Sequence, residues 1–110
     1  MASAAGPLAN GVLGTVLDVL YRAPDNASWV NVDFQSYVNK TTADVTINIY
    51  KRKRNQTARL ISPLDLQLDG GFRMDYADEI QKLAPGDTIE GFCSAAASVD
   101  FVIDGIITRP

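Results

Sequence analysis

Thirteen carboxylates, one cysteine and no histidine are the groups from which any chemistry in this 110-residue chain would have to be built. Histidine is the commonest general base near neutral pH, the usual activator of serine and cysteine nucleophiles, and the commonest metal ligand. Without it, Cys93 has no customary partner. Between Phe92 and Ser94 in an alternating stretch, it reads as a small buried hydrophobe. A single cysteine also excludes an intrachain disulfide and a multi-cysteine zinc site. Two carboxylates placed across a cleft could hydrolyse a glycoside. Asp18, Asp33, Asp44, Asp75, Asp100 and Asp104, however, occupy the polar phase or the edges of alternating stretches, where a solvated face accounts for them. Asp65, Asp69 and Asp78-Glu79 lack the regular ligand spacing of a calcium loop. Neither a phosphate-cradling glycine loop nor a dinucleotide fingerprint occurs, and Gly70-Gly71 reads as a turn. The expectation is a protein that binds or builds rather than catalyses, with no catalytic residue, cofactor or metal.

The charge feature that departs from an even distribution is Lys51-Arg52-Lys53-Arg54, with Arg59 just downstream. Such a run can meet an acidic protein surface or phosphates, with salt-sensitive affinity in either case. It can equally be a solvated hairpin whose lysines guard an exposed edge. Within a strand, about half of four consecutive charges point to each side, so one dense patch requires a turn there. The formal net charge of −3 argues against a surface built for nucleic acid. Among the aromatics, Phe34 is in phase with Val30 and Val32 and reads as core, leaving Trp29 and Tyr37 as exposed contacts for a subunit or a sugar ring. Sequons at Asn26, Asn39 and Asn55 signify nothing without entry into a glycosylating compartment.

The elements that position these residues follow from a period of two. Val30, Val32 and Phe34 alternate with Asn31, Asp33 and Gln35; Val45, Ile47 and Ile49 alternate with Asp44, Thr46 and Asn48. The polar stretch Val38 to Thr42 between them predicts that these two strands are hairpin neighbours. Thr15 to Tyr21 reads as a strand ending at Ala23-Pro24-Asp25-Asn26, and Lys51 to Gln56 as a hairpin tip returning through Thr57 to Ile61. A further strand carries Phe72, Met74 and Tyr76, and Ala77 to Leu83 is expected to make one or two helical turns. Pro85, Gly86 and Asp87 fit a type II turn ahead of strands at Thr88 to Ser94 and Val99 to Thr108. Met1 to Gly14, rich in Ala and Gly and interrupted by Gly6-Pro7, is expected to be a flexible or partner-ordered arm without a secretion signal. No apolar run reaches the ~18 residues of a membrane-spanning helix. The whole reads as one all-β domain over residues 15–110: an antiparallel β-sandwich or jelly-roll-like barrel of about seven or eight strands.

Read together, Leu20 to Pro24, Thr57 to Pro63, Leu83 to Gly91 and Ala95 to Gly105 resemble small virion structural proteins of tailed bacteriophages. In that group an Ala-Pro strand end precedes an aromatic-aliphatic strand, a Gly-Asp-Thr-Ile turn and a final Val-Asp-Phe-Val-Ile-x-Gly strand. The resemblance covers roughly Thr15 to Ile107. It implies a β-sandwich attached to the particle exterior as a capsid decoration or cement protein that binds the major capsid protein, or as a neck, tail or fibre-attachment component. It further implies a homo-oligomer located in the virion and assembled in the host cytoplasm, with no enzymatic site. Capsid geometry suggests three subunits. The candidate partner contacts are then Lys51, Arg52, Lys53, Arg54, Arg59, Trp29 and Tyr37, with membrane and nucleic acid not expected as partners. The rival reading is a carbohydrate-binding surface module stacking sugars on Trp29 and Tyr37.

Overall fold

A computed structural model describes residues 2–77 and 80–110. Ten strands form two antiparallel sheets packed face to face, a β-sandwich 45 × 27 × 21 Å in extent. In the first sheet β1 (Ala2–Val12) pairs β10 (Val99–Arg109), which pairs β3 (Trp29–Asn39). The far side of β3 is shared by β7 (Arg73–Tyr76) and β8 (Gln81–Leu83). In the second, β2 (Asp18–Arg22) pairs β9 (Thr88–Cys93), which pairs β4 (Val45–Arg52). Both β5 (Arg59–Leu60) and β6 (Leu66–Leu68) lie on the outer side of β4. No helix occurs among the described residues.

The core lies between the sheets and follows the alternation. Val45, Ile47 and Ile49 face inward from β4, Ile89 and Cys93 from β9, and Val99, Phe101 and Ile103 from β10. Cys93 is buried, its thiol 3.1 Å from the Ala95 carbonyl oxygen, and burial pushes the thiol pKa up.

Five expectations from sequence are corrected. The residues read as an arm, apart from its ends, form β1, in register with β10 from Ala2↔Arg109 to Val12↔Asp100. Low strand propensity is overridden here because β10 offers a row of backbone partners interrupted only by an irregularity between Pro7 and Ala9, and the small side chains fit close to it. A Cβ on Gly11 would lie 3.1 Å from the Phe101 ring, and one on Gly105 would lie 2.2 Å from the Asn31 carbonyl oxygen.

The strands β3 and β4 are not hairpin neighbours; they belong to different sheets. Instead of turning at Val38, β3 runs to Asn39, whose buried side chain holds the crossing. Its Nδ2 donates to the Ala43 and Leu68 carbonyls at 2.7 and 3.0 Å, while its Oδ1 accepts from the Thr41 N–H at 3.0 Å.

A β-bulge changes which residues of β3 face inward. Gly105 pairs Val32 and Asp104 pairs Phe34, so Asp33 is an extra residue and the inward phase restarts at Gln35, Tyr37 and Asn39. Tyr37 is fully buried, and Phe34, read as core, is partly exposed. Gln81–Leu83 is strand β8 rather than part of a helical turn, since β3 has an open edge there to pair with. Asp78 and Glu79, which belonged to that expectation, lie outside the described residues. Finally, the strands number ten among the described residues instead of seven or eight, the extra ones being β1 and short edge segments.

Candidate functional site

Three segments that stand apart in sequence converge at one end of the sandwich, where β2 and β4 finish and β9 begins. The pairing registers place Arg22 and Arg52 on opposite sides of Thr88. Pro85-Gly86 forms the turn into β9: the Asp87 N–H donates to the Ala84 carbonyl at 3.0 Å, and Gly86 takes φ +85°. Asp87 ties this turn to its neighbours. Its buried carboxylate accepts from the Arg54 N–H at 2.9 Å and the Ala84 N–H at 3.0 Å, and its carbonyl accepts from the Ala23 N–H at 2.9 Å. Gly86 also allows close approach, since a Cβ there would lie 2.7 Å from Arg54 Cδ.

The basic run is split by this hairpin into two faces. Its tip turns at Lys53 to Gln56, closed by a 3.0 Å bond from the Gln56 N–H to the Lys53 carbonyl and by Asn55 at φ 61°. Lys51 follows the inward phase of β4 and reaches toward the other sheet, where its Nζ donates to the Lys82 carbonyl at 2.8 Å. Burial lowers the Lys51 pKa, with Asp87 opposing and Lys53 assisting. Lys51 pairs in register with Arg59; together with Lys53 they line an open cleft of ≈ 260 Å³. Among the described residues, none of these three cations has a carboxylate within salt-bridge distance.

Arg52 faces the other way, onto the outer surface of the second sheet. Its Nε donates to Glu90 Oε2 at 2.7 Å and its guanidinium also reaches Oε1 at 3.3 Å, while the Thr88 hydroxyl donates to Oε2 at 2.6 Å. Burial pushes the Glu90 carboxyl up. The hydrogen bonds from Arg52 and Thr88 and the charges of Arg52 and Arg22 outweigh it, holding the pKa below the usual value. Arg22, Arg52 and Arg54 thus surround one buried carboxylate in a cleft of ≈ 460 Å³. Among the described residues Arg54 has a single distant ion-pair partner, Asp25 at 3.7 Å, and both groups are exposed. Arg22 has no ion pair among the described residues.

Of the aromatic candidates, Trp29 lies at the same end, half-buried, with the Lys82 ammonium 5.0 Å from its ring centroid. Tyr37 is remote from the surface, packed edge-on against Tyr76, and burial raises its pKa far above the ordinary tyrosine value. No sugar can stack on it. Among the described residues, no group of three or more His, Cys, Asp or Glu could hold a metal ion.

Sequence reading missed how many other cations share this end. The registers bring Arg22, Lys82 and Arg109 to it from three further strands, so that it holds eight of the ten Lys and Arg residues against, among the described residues, Asp25, Asp87 and Glu90. The remaining two, Lys40 and Arg73, lie at the opposite end, paired to Asp100 at 2.9 Å and Asp75 at 3.2 Å. Also at that end, Asp44 and Asp69 are exposed and both accept from the Gln67 Nε2, at 3.4 and 2.8 Å. Only the register of all the strands reveals this segregation, because the cations are scattered along the chain.

No known protein family matches the sequence, and no curated protein matches it. The fold does have relatives among solved structures. A chain from Bacillus endospore appendages, described as a family of disulfide-linked pili, superposes with a TM-score of 0.58 at 11% identity, covering 98% of this chain and 87% of that one. A chain from the acid-stable capsid of Helicobacter pylori bacteriophage KHP30 superposes with a TM-score of 0.55 at 14% identity, covering 100% and 90%. At these identities the likeness establishes a shared fold.

Proposed function

We propose that this chain is a non-enzymatic structural protein of a bacteriophage virion, a decoration or cement protein that binds the major capsid protein through its basic end. The observation that carries the reading is the gathering of eight of ten cations at one end of a chain whose net charge is −3. Such an end attracts an acidic surface, steers encounter and loses affinity as salt rises. The whole of this chain shares its fold with a chain of a phage capsid structure, which supports the virion setting. The docking face is the cleft of Lys51, Lys53 and Arg59, whose charges have no acidic partner of their own among the described residues. Many copies on a repeating shell add up modest energies per site.

The test is co-sedimentation of the purified chain with particles stripped of it, followed by imaging to locate it. Lys53→Glu with Arg59→Glu changes exposed charges that hold no other element in place. The expected result is occupancy on the head that falls at least tenfold in the double variant and declines with salt in the wild type. Density at the neck or tail would move the role to an attachment component. Binding indifferent to both charge reversal and salt would remove the basic end from the mechanism.

A further inference from the structure

The two ends of the sandwich are chemically complementary to each other. An eleven-residue strand spans about 36 Å, so the 45 Å dimension runs along β3 and β10 and the charge segregation lies along the long axis. At the basic end, Glu90 and Thr88 hold Arg52 in place, while Arg22 and Arg54 keep their guanidinium groups open to solvent around the same cleft. Arg52 is itself occupied, by Glu90 and by the Gln56 carbonyl 3.2 Å from its Nη1, so Arg22 and Arg54 are the groups that can receive a further carboxylate, which guanidinium binds bidentately. At the acidic end, Asp44 and Asp69 stand side by side on one Gln67 nitrogen and have no cation within salt-bridge distance among the described residues. Phe72, three residues after Asp69, is 64% exposed, and Val16 at the same end is 72% exposed, so apolar surface accompanies the carboxylates.

We propose that copies of this chain associate head to tail, the Asp44 and Asp69 carboxylates of one copy entering the Arg22–Arg52–Arg54 cleft of the next. The contact is heterologous: it closes into a ring or runs on as a row according to the rotation between successive copies. An end face of 27 × 21 Å limits the area buried by a pair to about 1,000 Å², at the lower edge of specific interfaces. Association of free chains is therefore weak and salt-sensitive. The Lys51–Lys53–Arg59 face lies on the other side of the hairpin and stays available, so the inference does not depend on the virion reading.

The experiment uses the purified chain alone, in sedimentation velocity over a concentration series at about 0.05 M and about 1 M salt, where the Debye length falls to about 3 Å. Wild type is expected to associate at low salt and to dissociate at high salt. Two reversed variants are made: Arg22→Glu with Arg54→Glu, and Asp44→Arg with Asp69→Arg, leaving Arg52 and Glu90 untouched. Each alone is expected to associate at least tenfold more weakly, and a 1:1 mixture to regain association, because each altered end then faces an opposite charge. Circular dichroism checks folding, and Asp69→Arg alone serves if a double variant does not fold. A wild type that stays monomeric at low salt, variants that associate like wild type, or a mixture that regains nothing would each overturn the proposal. If wild type stays monomeric while Arg22→Glu with Arg54→Glu abolishes particle binding, the cleft serves a different acidic protein. The head-to-tail contact then falls while the virion reading stands.

Discussion

The hydroxyl of Tyr37 donates a 2.6 Å hydrogen bond to Oε1 of Gln35, two residues back on the same strand, with both side chains inside the sandwich. Residues two apart on a strand share a face, so the pair forms a polar bridge between the sheets. Phenylalanine in place of Tyr37 would keep the ring and strand the amide oxygen. Tyr37→Phe is therefore expected to cost about 1–3 kcal/mol, read as a lower midpoint in urea with an unchanged slope.

The turn at Gly86 gives a second prediction. Its φ of +85° and the 2.7 Å approach of a would-be Cβ to Arg54 Cδ oppose any side chain. Gly86→Ala is expected to lose about 1–2 kcal/mol from backbone strain alone. It should also displace Arg54, visible as a changed chemical shift for the Arg54 amide, whose N–H is held by Asp87.

The Glu90 network predicts an acid limb of stability. The folded carboxyl has a pKa below its unfolded value, about 4.3 for glutamate, so the unfolded chain takes up the proton first. Its contribution is complete above the unfolded value and is lost as pH falls through the folded one. Denaturation series between pH 7 and pH 3 should show a shallower decline for Glu90→Gln than for wild type. Equal declines would mean that the network adds nothing to folding.

Much of the sandwich is readable from alternation. The inward residues of β4, β9 and β10 follow strict period two, and Pro85-Gly86 and Gly70-Gly71 carry their turn chemistry in their residue types. What escapes local reading is set by partners distant in sequence. The bulge at Asp33 has no marker of its own; it arises where Gly105 opposes Val32, and it exchanges the roles of Phe34 and Tyr37. The small residues of β1 lack strand propensity and take their conformation from β10. For the candidate site, the basic hairpin is visible in sequence, as is the division of its charges between two faces. The contributions of Arg22, Lys82 and Arg109 are not, because neighbouring strands deliver them.

The pairing of β1 with β10, from Ala2↔Arg109 to Val12↔Asp100, has a kinetic consequence. β1 is synthesised well before its partner β10, and until that strand emerges its row of amides has only solvent to bond. A long loop must close before that edge is covered, and domains dominated by such distant pairings fold slowly. During translation the nascent chain therefore carries an unpaired, uncharged strand, the kind of segment that chaperones capture and that associates with other chains when production outruns folding.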